Sequence, residues 1–285
     1  MEREKPFVYI DTNFSLGEAL MLKLAFNSFD FELVGLSTIS SFMDAKTAAE
    51  NIVGMSELED LYLSVSQGES VNLSDQEILL RGEDHEIFKN VKDYVEEEEA
   101  SKNLYDLAQD CGRLDIIATG PLTNIAKALR DYEDLEDYID HIFILGSTFS
   151  TGDVTATAEY NFFTDPQAAD EILNRGIDIF ILPLDLSKSL VLNNDLLKDL
   201  KSKDQVTKKI LDAYRMRPEE LRDLGPALLL YLVLTPEAFI FEEDGLRVNT
   251  KEERGKVYRT NQRKKAYIAN RVNENSFFEF LKAGL

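Results

Sequence analysis

The 285-residue chain has a single cysteine, Cys111, so no internal disulfide is available to it. A lone thiol agrees with a reducing compartment, and its ordinary place is in a core. Basic residues are also in deficit, 31 against 53 acidic ones, and the formal charge of -22 would repel a phosphate backbone over most of the surface. Nucleic acid is thereby excluded as a partner. Long apolar runs are missing too. The nearest, from Leu224 to Phe241, is interrupted by Pro226, Pro236 and Glu237, so no membrane-spanning segment is expected. Met1 to Pro6 carries charges of both signs and leads straight into a strand-like segment, without room for an apolar signal region. A cytoplasmic location is expected.

With 44% hydrophobic residues and only 14 glycines and 7 prolines, the chain can bury a sizeable core unaided. Neither an internal repeat nor a low-complexity linker divides it, so residues 1–285 are expected to form one domain. Short apolar runs recur at Phe7–Ile10, Phe31–Ile39, Leu61–Val65, Leu114–Ala118, Ile142–Leu145 and Ile177–Leu182. Helical periodicity separates them at Leu16–Phe29, Ala45–Met55, Leu122–Asp131 and Pro166–Arg175. The alternation predicts an α/β fold: a mostly parallel central sheet flanked by helices, Rossmann-like in its core. Beyond Leu186 the pattern becomes helical, at Asn194–Leu200, Gln205–Tyr214, Glu219–Leu234 and Ser276–Ala283, with short strands near Val257–Arg259 and Ala266–Ala269. The acid-rich segment Asp84 to Ala100 reads as helix or exposed loop. In such sheets ligands sit beyond the carboxyl ends of the strands, so chemistry is sought just after each apolar run.

After the first run the chain reads Ile10-Asp11-Thr12-Asn13-Phe14-Ser15-Leu16-Gly17-Glu18-Ala19. Ala118-Thr119-Gly120-Pro121-Leu122-Thr123-Asn124-Ile125-Ala126 follows the fourth run. Later come Ala158-Glu159-Tyr160-Asn161, Thr164-Asp165-Pro166-Gln167-Ala168-Ala169 and Leu184-Asp185-Leu186-Ser187. In order and spacing these blocks resemble the inosine-uridine-preferring nucleoside hydrolases, whose corresponding elements are D-T-D-P-G-x-D-D-A, T-G-P-L-T-N-I-A, A-E-F-N, D-P-E-A-A and L-D-L-T. The resemblance spans most of the chain. It implies that family's fold and a history of binding ribonucleosides, and it carries the expectation of a dimer or tetramer.

The same resemblance implies calcium-dependent cleavage of an N-glycosidic bond, the ion holding the ribose hydroxyls and the attacking water. Calcium takes six to eight oxygens, and charged carboxylates set most of its affinity. At the family's ligand positions this chain has Asn13, Glu18, the carbonyl of Thr119 and a residue near Gly225 in Leu224-Gly225-Pro226. Charged ligands are thereby reduced to Glu18 alone. Asp223 could substitute only if its loop shifted by two residues. Asn13 also lacks the basicity of the acid that takes the water's proton. Gly17 stands where an acid faces the ribose, Phe42 where an asparagine binds it, and Asp153 where Gly-Asn is usual. His85 is the one imidazole expected near a ligand, since His141 lies at the opposite end of the sheet. The ribose-grip pair Glu159 and Asn161 is retained.

Each position also has a plain structural explanation. Ser15 and Glu18 fit a helix capping box, Asn13 fits an Asx turn, and Thr119-Gly120-Pro121 fits a strand-to-helix turn. Asp11 could bond to backbone, and Glu159 and Asn161 could sit on a surface loop. The first functional expectation is a protein that keeps a ribose- or nucleoside-sized pocket while calcium-dependent hydrolysis is weakened or absent. A working N-ribohydrolase on a poorer metal site, with Asp11 or Glu18 as base, is the second. The third is an interaction or regulatory protein whose old pocket is filled.

Overall fold

The computed structural model describes residues 5–82, 87–88 and 99–285. Its strands are β1 (Phe7–Thr12), β2 (Glu32–Thr38), β3 (Val65–Gln67), β4 (Leu114–Ala118), β5 (Ile139–Leu145), β6 (Asp178–Leu182), β7 (Phe239–Val248), β8 (Val257–Thr260) and β9 (Lys265–Val272). They form one nine-stranded sheet in the order β3-β2-β1-β4-β5-β6-β9-β7-β8. From β3 to β9 all neighbours are parallel, and β7 is antiparallel to both β9 and β8.

Alternation along the strands sends side chains to two cores. Val8 and Ile10 of β1 point to the face covered by α1 (Leu16–Phe26), α2 (Ala45–Leu58), α9 (Gln205–Arg215), α10 (Gly225–Leu234) and α11 (Glu274–Gly284). Tyr9, Ile116, Ile142 and Ile144 point to the other face, under α3 (Ala100–Cys111), α4 (Thr123–Asp131) and α6 (Pro166–Ile172). Short helices α5 (Tyr160–Thr164), α7 (Leu184–Ser187) and α8 (Asn194–Asp199) complete the set. Because α1 is buried from Leu16 to Ala25, its sequence is apolar nearly all round. No helix among the described residues is long and apolar enough to cross a membrane.

The expected α/β architecture is present, with local differences. The run Leu61–Val65 contributes only its last residue to β3, since Leu61 N bonds to Ser56 O at the end of α2. Strand β7 escapes hydrophobic patterning because Glu242, Glu243 and Asp244 interrupt it. Those acids are partly offset across the sheet, where Arg259 of β8 pairs with Glu242 and, at 3.0 Å, with Asp244. The stretch Glu219–Leu234 divides into a single 3-10 turn, Glu219–Leu221, and α10, because Pro226 suits the first turn of a helix and not its interior. Most of Asp84 to Ala100 lies outside the described residues.

Lys23 is a buried cation that fastens α1 to its neighbours. Its Nζ lies 2.6 Å from Glu59 beyond the end of α2, 3.1 Å from Asp204 at the start of α9 and 3.3 Å from Asn27 Oδ1. Lys23→Ala is expected to lower the unfolding free energy by about 3 kcal/mol, the low end for breaking a buried pair because both acids keep some exposure. Urea denaturation midpoints would measure it.

Candidate active site

The order β2-β1-β4-β5 means that successive strands are added leftward from β1 and rightward from β4, which opens a crevice between the carboxyl ends of these two strands. Asp11, the last but one residue of β1, lies there fully buried, and its Oδ1 accepts from Ser37 Oγ at 2.6 Å and Asn124 Nδ2 at 2.7 Å. Asp11 Oδ2 has no partner. Burial outweighs the two donors and pushes the Asp11 pKa up to about 6. Asn124 is more than a turn residue, since it also donates to Thr38 O at 3.0 Å and accepts from Glu69 N at 2.9 Å. It thus straps together the ends of β1 and β2 and the loop after β3. Gly120 has to be glycine, because a Cβ would fall 2.4 Å from Ile39 Cγ2.

Asn13 and Glu18 meet. With the Asn13 amide oriented to satisfy its neighbours, Nδ2 donates to Glu18 Oε1 at 2.8 Å and Oδ1 accepts from Ser41 Oγ at 3.1 Å. Ser15 caps α1 by accepting from Gly17 N at 3.1 Å, and its hydroxyl donates to Glu18 Oε2. Asn13 and Glu18 are both 2% exposed, so this network is sealed from water. Burial raises the Glu18 pKa to about 7, with the nearby charge of Asp223 adding to the rise. The Thr119 carbonyl accepts from Asn161 Nδ2 at 2.9 Å, and Thr119 Oγ1 lies 2.7 Å from Thr12 Oγ1. Among the described residues no group of three His, Cys, Asp or Glu side chains is close enough to hold a metal ion.

Glu159 and Asn161 are buried at the same crevice, not on a surface loop. Glu159 caps α5, accepting from Asn161 N at 2.8 Å, Phe162 N at 3.2 Å and Ser147 N at 3.0 Å, while burial lifts its pKa to about 7. Asn161 spends its amide hydrogens on Thr119 O and Leu145 O, each at 2.9 Å. No described residue donates to its Oδ1. Ser147, just beyond β5, is held at φ 66° with its hydroxyl buried and unpartnered.

Phe42 and Asp153 belong to the rim. Phe42 stacks on Tyr160 at 6.5 Å between centroids, and the Arg81 guanidinium lies 4.4 Å from the Tyr160 ring and 5.6 Å from that of Phe42. Asp153 pairs with Arg81 at 3.2 Å and accepts from Tyr160 N at 2.9 Å. His85 lies outside the described residues. His141 is at the far end of the sheet, 2.7 Å from Asp115.

Asp223 comes closer to the site than the sequence register implies. Its Oδ1 accepts from Gly225 N at 2.8 Å, while its Oδ2 lies 3.5 Å from where a Cβ on Gly17 would stand. The residue is exposed. Surrounding protein still pushes its pKa up, although solvent access screens part of that effect. The signal available in the sequence was Gly225-Pro226, a helix start that an acid two residues upstream can cap.

Residues 8–279 match the family model described as inosine-uridine preferring nucleoside hydrolase. The chain is 28% identical over 266 residues to a protein of Arabidopsis thaliana named "Probable uridine nucleosidase 2", covering 85% of this chain and 82% of that one. Among solved structures it resembles a plant nucleoside hydrolase with a TM-score of 0.88 at 20% identity, covering 98% of both chains. A purine-preferring ribonucleoside hydrolase from Gardnerella vaginalis superposes with a TM-score of 0.87 at 20% identity, over 98% of this chain and 97% of that one.

Two measurements probe the geometry. Glu18 binds its proton more tightly when folded, so its contribution to stability is full below pH 4.5 and is lost as pH rises through about 7. Glu18→Gln is expected to flatten the decline of melting temperature across that window, as thermal denaturation against pH would show. Ser147→Gly is expected to stabilise the fold by about 1 kcal/mol, relief of left-handed strain and of an unpartnered hydroxyl outweighing glycine's greater unfolded freedom. A fall in stability would contradict the strain.

Proposed function

Because the chain belongs to the inosine-uridine preferring nucleoside hydrolase family, we propose that it binds a ribonucleoside or ribose while calcium-dependent N-glycosidic hydrolysis is weakened or lost. The observation that carries this reading is the 2.8 Å contact between the Asn13 amide and Glu18 Oε1, which is satisfied when the amide turns its N–H to the carboxylate. Two acids facing one another invite a cation between them, whereas an amide N–H facing a carboxylate already satisfies it and adds no charge. The other oxygens are committed as well, Glu18 Oε2 to Ser15 and the Thr119 carbonyl to Asn161. These residues do not fit calcium, and no step is derived through it.

What supports retained binding is the opposite condition at Asn161. Its two N–H groups are fixed by Thr119 and Leu145, which leaves Oδ1 held in place as an acceptor for a sugar hydroxyl. The half-buried Phe42 ring and the exposed, flat Arg81 guanidinium, both packed on the buried Tyr160, offer surfaces suited to stacking a base. A second reading, an active hydrolase, is favoured by Asp11 alone. That carboxylate has an unpartnered oxygen and a pKa near 6, fit for a general base.

Calorimetry of the full chain with calcium is expected to show no binding at about 10 μM or tighter, the range of competent sensor sites. Asn13→Asp removes the donor and sets two acids together. It should lower the melting temperature without calcium and recover it when calcium is added. Uridine and inosine should raise the melting temperature of the natural chain without release of free base. Rapid base release that stops on chelation would overturn the proposal, and chelator-insensitive release abolished by Asp11→Asn would favour the second reading.

A further inference from the structure

We propose that Asp223 is the carboxylate that receives the sugar hydroxyls of the ligand, at the edge of the crevice beside Gly17. The inference rests on the proposed ribose binding and assigns a contact within it.

The loop carrying Asp223 is built to be rigid. Arg222, buried beside it, donates to Tyr214 O at 2.9 Å, Arg217 O at 3.0 Å, Leu192 O at 3.2 Å and Asn194 Oδ1 at 2.9 Å. The buried Tyr214 hydroxyl donates to Asp223 O at 2.8 Å. Two glycines then position the carboxylate. At Gly225 a Cβ would come within 3.1 Å of Oδ1, and the absence of a side chain admits the bond from Gly225 N. At Gly17 a Cβ would stand 3.2 Å from Pro226 Cγ and 3.5 Å from Oδ2, so any longer side chain there would meet the Asp223 carboxylate. No described residue donates a hydrogen bond to Oδ2.

Exposure separates this group from its neighbours. Asp11, Glu18 and Glu159 are buried and bonded to protein donors, whereas Asp223 faces solvent and can be reached by a ligand without breaking the fold. Desolvation raises its pKa, and Lys188, Arg217 and Arg81, within electrostatic reach, offset part of that rise. A fixed carboxylate with one open oxygen beside Glu18 is a good acceptor for a sugar hydroxyl, and the second lone pair of Oδ1 can take an adjacent one. Loss of one hydroxyl from such a pair leaves a desolvated carboxylate oxygen unpaired, which is a strong basis for rejecting a deoxy sugar.

The test is calorimetry of the full chain and of Asp223→Asn and Gly17→Ala, with uridine, 2′-deoxyuridine, ribose and 2-deoxyribose as probes in the presence of chelator. The natural chain is expected to prefer the ribo form by about tenfold or more, the factor for a hydrogen bond to a charged group. Asp223→Asn should weaken ribo binding by a similar factor and shrink the ribo/deoxy ratio to about twofold, at nearly unchanged melting temperature. Gly17→Ala, whose methyl would press on Pro226 and shift the Asp223 carboxylate while keeping it, should weaken ribo binding in the same sense. If Asp223→Asn binds uridine with the natural affinity and ratio, the inference is wrong and ribose binding itself stands. If no probe binds the natural chain, the proposed function fails and the inference with it.

Discussion

The ends of β1 and β4 are held together by a buried carboxylate that takes hydrogen bonds from two sides. Asp11 takes hydrogen bonds from Ser37 on β2 and Asn124 at the start of α4, and Asn124 in turn reaches Thr38 and Glu69. Everything in the crevice is placed relative to this pin. Asn13 leaves β1 two residues later, Thr119 leaves β4 one residue after Ala118, which pairs with Asp11, and Gly120 lets the two turns touch. A sheet whose strand order turns outward in both directions from β1 and β4 needs polar groups there to satisfy strand ends, and a ligand site can be built on the groups that do so.

A site designed around a cation and a site that closes on itself use similar residues with different donors. An asparagine at position 13 sets the sign of one contact: its N–H points at Glu18 where an aspartate oxygen would compete with it. The carboxylates that remain behave as buried acids without a counter-ion. Glu18 and Glu159 are lifted to about 7 and Asp11 to about 6, which is the response expected where desolvation is not offset by positive charge. Such groups hold protons near neutrality and thereby reduce the cost of their burial.

The parallel sheet was legible because its strands are apolar runs of ordinary length separated by helical periods, and Pro226 and Asn273 marked helix starts. Strand β7 was hidden because three consecutive acids break its pattern, and their partners come from other strands, Arg259 of β8 for Glu242 and Asp244 and Lys265 of β9 for Glu243. At the site, Asn13, Glu18, Thr119, Glu159 and Asn161 could be named from local blocks, and the capping roles of Ser15 and Glu18 follow from their spacing. Asp223 could not be placed, since nothing in the sequence says that Gly17 and the Asp223 carboxylate lie side by side. Strain at Ser147 was equally silent, because a left-handed serine carries no composition signal.

Glu159 and Asn161 show how two adjacent buried side chains divide one task. Every hydrogen bond that Glu159 makes fixes backbone: it caps α5 and holds Ser147 N, so a ligand hydroxyl would have to share oxygens already taken. Asn161 differs, because its donors are spent on scaffold and its acceptor is not. Capping by Glu159 sets where α5 begins, and α5 sets where Asn161 Oδ1 points. The first residue therefore works through the second, and the division of labour follows from counting lone pairs and hydrogens at two adjacent side chains.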